Sequence, residues 1–219
     1  MTRPRKNIRA EQLRRTLAQE AARIMAEQGI GDFLLAKRKA AERLAVTDKS
    51  VLPKNTEIEA ALAEHHRLFG TDRHSTSLRT LRETALRAMR LLNIFQPRLV
   101  GPVLTGMASE HSEILLHLFA DQPESVGWHL QERGIPHRLN ERRVRYEPGR
   151  VVSYPVFSFV AGEQAIDAMV FPIDGIRQAP SSPVDGRPIR RGDAAEVEQL
   201  VLSGEHSVDS FIAPTDPGR

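Results

Sequence analysis

The residues equipped for chemistry concentrate between Gly101 and Asp167. Gly101 and Gly106 leave backbone room for a phosphate, because neither carries a side chain. Thr105 and Ser112 offer hydroxyls beside them, and Arg142, Arg143 and Arg145 supply cations, as do Arg187, Arg190 and Arg191 further on. Neighbouring residues on a strand face opposite sides, so only one of Arg142 and Arg143 can point at a given site. Several chemistries are excluded. Gly101 to Gly106 has the glycine spacing of a P-loop, but Met107 follows where that loop needs Lys. There is no dinucleotide-binding glycine fingerprint, no nucleophile elbow and no His-Glu-x-x-His. His111 and His117 share a strand face but would lie about 20 Å apart, too far to share a metal. His65 and His66 are adjacent and point to different faces of a helix, which argues against a metal shared with His74. The chain has no Cys, which removes disulfides, thiol catalysis and Cys-type zinc sites together.

The segment RLVGPVLTGMASEHSEILLHLFAD, residues 98–121, reads as a strand, a Gly-bounded turn and a second strand. Its apolar runs, Leu99 to Leu104 and Ile114 to Phe119, are short and bounded by Gly and polar residues, as buried strands are. This segment resembles the nucleotidyltransferase superfamily of polymerase-beta-like enzymes. Gly101-Pro102 falls on that family's Gly-Ser pair, Gly106-Met107-Ala108 on its turn, and Ser112-Glu113-Ile114-Leu115 on its Ser-Asp-x-Asp. Asp167, within the apolar run Ala165 to Phe171, falls on the third carboxylate. The resemblance spans residues 78–171. It implies an NTP substrate and Mg²⁺ held by Glu113 and Asp167, which would be the catalytic carboxylates. The phosphates would then lie against Gly101, Thr105, Gly106 and Ser112, with Arg143 among the candidate cations. The chain departs from the pattern at Pro102, which has neither hydroxyl nor N–H, and at Leu115, which cannot ligate a metal. Two expectations follow. One is Mg²⁺-dependent transfer of a nucleotidyl group to an acceptor. The other is a catalytically inactive fold that binds nucleotide, RNA or protein.

A chain of 219 residues can bury a sizeable core and make one domain or two small ones. No run of 18 apolar residues is present and no apolar signal-peptide core opens the chain, so no membrane partner and a cytoplasmic location are expected. Charge is uneven. Residues 1–54 hold 13 Lys and Arg against 6 Asp and Glu, while residues 55–219 hold 18 against 22. A basic arm on a mildly acidic body suits RNA or another anionic partner. Phe33 is the only aromatic residue of that arm, so base stacking is poorly supplied there.

The elements that must position these residues follow from periodicity. Leu13, Leu17, Ala21, Ile24 and Met25 mark a helix over 8–28, ended by Gly29. Asp32 caps a second helix, 33–45, and Asn55 or Thr56 a third that runs to Leu68 and is stopped by Gly70. Leu78, Leu81, Ala85, Met89 and Leu92 define a fourth, 77–94. A helix from Pro123 to Arg133 precedes β structure: 135–139 and 142–146 around a turn at Asn140-Glu141, then 151–160 and 165–171. This is an antiparallel meander in which Pro155 is easiest at an edge. The Pro- and Gly-rich stretch 172–192 is too long for an ordinary connector, and Asp193 caps a last helix, 194–202. The expectation is an α+β chain: a helical N-terminal region with the basic arm (1–76), a nucleotidyltransferase-like mixed or antiparallel sheet flanked by helices (77–203), and a disordered tail (204–219).

Overall fold

A computed structural model describes residues 3–69, 72–147 and 149–203. The expected helix stop at Gly70, the Pro148 corner and the tail after residue 203 lie outside the described residues. The chain is α+β, with helices α1 (Arg3–Gln28), α2 (Phe33–Arg43), α3 (Asn55–Phe69), α4 (Asp72–Leu91), α5 (Pro102–Thr105), α6 (Glu124–Glu132) and α7 (Ala194–Ser203). The strands are β1 (Arg98–Val100), β2 (Ile114–Phe119), β3 (His137–Tyr146), β4 (Arg150–Ala161) and β5 (Gln164–Phe171).

The first three helices bury a core of their own. Leu17, Ala21 and Ile24 of α1 meet Ala36 and Ala40 of α2 and Ile58 and Leu62 of α3. The small residues at these positions let the helix axes approach closely. Asp32 caps α2 as expected, its carboxylate accepting from the N–H groups of Leu34 (2.7 Å) and Leu35 (3.2 Å). Gly29 makes the tight turn between α1 and α2 at φ +65°, and a Cβ there would sit 2.6 Å from the Cβ of His111. This turn is where the helices touch the loop that enters β2.

The five strands form one mixed sheet in the order β1-β2-β5-β4-β3. β1 and β2 are antiparallel, β2 and β5 parallel, and β5-β4-β3 an antiparallel meander. Period-two alternation divides the sheet into two faces. Leu116, Leu118, Ile166, Ala168, Phe157 and Phe159 point to the face covered by α4, α6 and α7, and are buried there with Leu81, Met89, Val126, Leu130 and Val197. Leu115, His117, Asp167, Met169, Val156 and Arg142 belong to the opposite face.

Three local expectations need correction. Asn140 and Glu141 are not a turn: they pair with Val156 and Pro155 inside a continuous ten-residue β3. Cross-strand pairing to the long β4 overrides their weak strand propensity. Pro155 is in an inner strand, but the β4–β5 ladder begins only at Val156, so the missing N–H faces no β5 partner. Val103 and Leu104 lie in a one-turn helix, not a strand. Gly101 (φ 71°, ψ −155°) adopts a conformation open essentially to glycine alone, Pro102 takes the first helical position, and Gly106 ends the turn at φ 84°. Arg82, 2% exposed, fixes this turn by donating to the carbonyls of Val103 (3.1 Å) and Leu104 (3.4 Å).

Candidate functional site

The uncovered face of the sheet opens into a cleft of about 1200 Å³. It has three walls. The sheet supplies Leu115, His117, Asp167, Met169 and Val156. The helical unit supplies Met25, Gly29, Phe33, Glu59 and Leu62. The segment from Ser181 to Arg190 closes the third side. That segment is ordered by its own bonds. Ser182 N–H donates to the Arg187 carbonyl (2.7 Å) and Ser181 N–H to the Arg145 carbonyl of β3 (2.7 Å). The Asn55 side chain at the start of α3 donates to the Pro183 carbonyl (2.6 Å). The segment thus ties the sheet edge to the helical unit across the cleft.

Asp167 lies on the floor of this cleft, with both carboxylate oxygens engaged. Arg142 Nη2 donates to Oδ2 and Ser158 Oγ to Oδ1, each at 2.7 Å. Leu115 is its Cα partner on the parallel strand β2. Of the neighbouring arginines it is therefore Arg142 that reaches Asp167; Arg143 borders the same cleft. Gly101, Thr105 and Ser112 also border it. The Thr105 hydroxyl points back to the carbonyls of Gly101 and Pro102 (both 3.4 Å), and Ser112 Oγ accepts from Ser109 N–H (2.9 Å). Glu113 is exposed just before β2 and, like Gly106, does not border the cleft.

The remaining charges divide by position. Arg145 and Arg187 border the cleft, and Arg187 is 77% exposed with Asp185 3.9 Å away. Arg190 is ion-paired with Glu196. Glu59, on the helical wall, has its carboxyl pushed up, first by burial and then by the charge of Asp185. At the far end of the sheet face Arg191 stacks over Phe119 and Phe171. Its Nε donates to His117 Nδ1 (3.0 Å), which places the His117 proton on Nε2. Burial, and then the Arg191 charge, push His117 down to about 3.

The residues do not fit a Mg²⁺ site. Magnesium requires near-octahedral oxygen ligation at about 2.1 Å. Asp167 is already satisfied by a guanidinium and a hydroxyl, an apolar Leu115 stands beside it, and Glu113 lies outside the cleft. No group of three or more His, Cys, Asp or Glu side chains that could hold a metal occurs among the described residues.

Sequence reasoning missed Ser158, the helical wall and the role of Arg142. The first two depend on tertiary contacts and have no local signal. For Arg142 the alternation on β3 was available, but not the register that decides between it and Arg143. No family model, curated protein or solved structure matches this chain.

Proposed function

We propose that this chain is a nucleotide-binding module on a nucleotidyltransferase-like sheet, which holds an anionic ligand in the cleft without consuming it. The carrying observation is the composition of the cleft floor: Asp167 closed by Arg142 and Ser158, with Leu115 in register beside it. Nucleotide is the favoured ligand because Gly101, Pro102, Met107, Ser112, Leu115 and Asp167, all positions of the family resemblance, border one cleft. The parallel register of β2 with β5 also supports that alignment, since it sets the second and third carboxylate positions, Leu115 and Asp167, side by side. Apolar Met25, Phe33 and Leu62 on one wall suit a base, and Arg142 and Arg187 suit phosphates.

Calorimetric titration of ATP, GTP, CTP and UTP, with chromatography of the nucleotide afterwards, tests this reading. Binding of at least one nucleotide is expected, with the nucleotide recovered intact. Arg187→Ala should weaken it by about tenfold or more, while Arg138→Ala, on β3 but outside the cleft lining, should not. Consumption of nucleotide that is lost in Glu113→Ala/Asp167→Ala would favour metal-dependent transfer instead. Absence of binding would defeat the nucleotide reading.

A further inference from the structure

An arginine–carboxylate pair on the floor of an anion-binding cleft poses a chemical question: which group of the pair meets the ligand. Arg142 Nη2 lies 2.7 Å from Asp167 Oδ2, with the Asp167 side chain 14% exposed and the Arg142 side chain 46% exposed. Arg142 is therefore the more accessible partner of the pair. Asp167 Oδ1 is occupied from the other side by Ser158, so the carboxylate is fixed in orientation and in turn aims the arginine. A guanidinium carries five N–H donors in a planar fork. One bond to Asp167 leaves donors free to meet phosphate oxygens, with geometry suited to bidentate contact.

A divalent cation bridging a carboxylate and a phosphate does two things: it neutralises the phosphate and fixes its position. The Arg142 guanidinium, braced by Asp167, can fix the phosphate by direct hydrogen bonds without a metal, and Arg187 on the cleft wall adds positive charge that the Arg142–Asp167 pair does not supply. We infer that Arg142 takes the place of a divalent cation in this cleft, so that the protein binds the free, metal-uncomplexed nucleotide anion. This inference rests on the nucleotide-binding reading above and adds the metal state of the ligand to it.

The test is an equilibrium titration of the full chain with each nucleoside triphosphate, and with inorganic tripolyphosphate, in excess EDTA and in excess MgCl₂. Binding in EDTA at least as tight as in MgCl₂ is expected. Arg142→Ala should weaken EDTA binding by about tenfold or more, and Arg142→Lys by less, since the charge remains while the fork is lost. Melting curves of both variants show whether they are folded. Tripolyphosphate competing with nucleotide would place the contact on the phosphates. Nucleotide binding that appears only with MgCl₂, or that a folded Arg142→Ala retains unchanged in EDTA, would overturn the inference and leave the nucleotide reading standing. No binding under either condition would overturn both.

Discussion

At the residue scale, the decisive positions are single side chains whose neighbours set their chemistry. Asp167 was legible from sequence as a carboxylate in an apolar strand. Its engagement by Arg142 and Ser158 was not, because all three reach one point only through the register of three strands. His117 was legible as a strand residue and not as a buried neutral imidazole, since Arg191 lies 74 positions away. A pH dependence follows from it. The unfolded imidazole takes up a proton near its ordinary value of about 6.5, whereas the folded one resists protonation down to about 3. Its contribution to stability is therefore complete above about pH 6.5 and is lost as pH falls through that window. Denaturant melts between pH 7 and pH 4 should show stability falling. In His117→Gln, which keeps an acceptor for Arg191 and cannot titrate, the fall should be shallower. An equally steep fall in the variant would show that His117 does not drive the acid limb.

At the element scale, periodicity located α1, α2 and α3 and the strands β4 and β5 because each has a clean stripe or run, and Asp32 announced its cap. It failed where pairing overrides propensity, as in β3, and where a single turn of helix follows a glycine that no other residue can replace, as in α5. The Gly29-Ile30-Gly31 turn between α1 and α2 read from sequence as the turn of a helical hairpin. Its second role, seating the helical unit on the loop before β2, requires the His111 contact. Gly29→Ala should cost about 2–3 kcal/mol, combining a left-handed conformation with a side chain too close to His111. Gly162→Ala has the same sign of φ (+65°) and open space around it, and should cost only about 1 kcal/mol. Equal losses in urea unfolding of the two variants would mean that the His111 contact carries no energy.

At the scale of the whole molecule, the uneven charge of the chain has a structural reading besides an RNA arm. Within residues 1–54, Arg23 pairs with Glu20 and Glu27, and Arg43 with Glu20. Part of the basic excess is thus neutralised inside the helical unit. An anionic partner on the rest of it remains a proposal. Deleting residues 1–54 would not test it cleanly, because that segment supplies Leu17, Ile24 and Ala36 to a core and Met25 and Phe33 to the cleft. Composition also excluded a membrane-spanning helix, and none of the described helices is long and apolar enough to cross a membrane. The cleft itself was not legible in the sequence. Its helical wall and the segment 181–190 are more than a hundred positions apart, joined by bonds such as Asn55 to Pro183. Only the length and Pro- and Gly-rich composition of 172–192 hinted that this segment had work beyond connection.

The central claim is that this cleft receives the ligand. Backbone hydrogen exchange with and without saturating nucleoside triphosphate in EDTA tests it most directly, since a ligand held between the three walls must slow opening of each. The account predicts slowed exchange together in residues 29–33, 142–147 and 181–190, with the α6 surface unchanged as a control. Slowed exchange confined to the outer faces of α1 and α2, or no change in any of the three cleft segments when the nucleotide is bound, would contradict it.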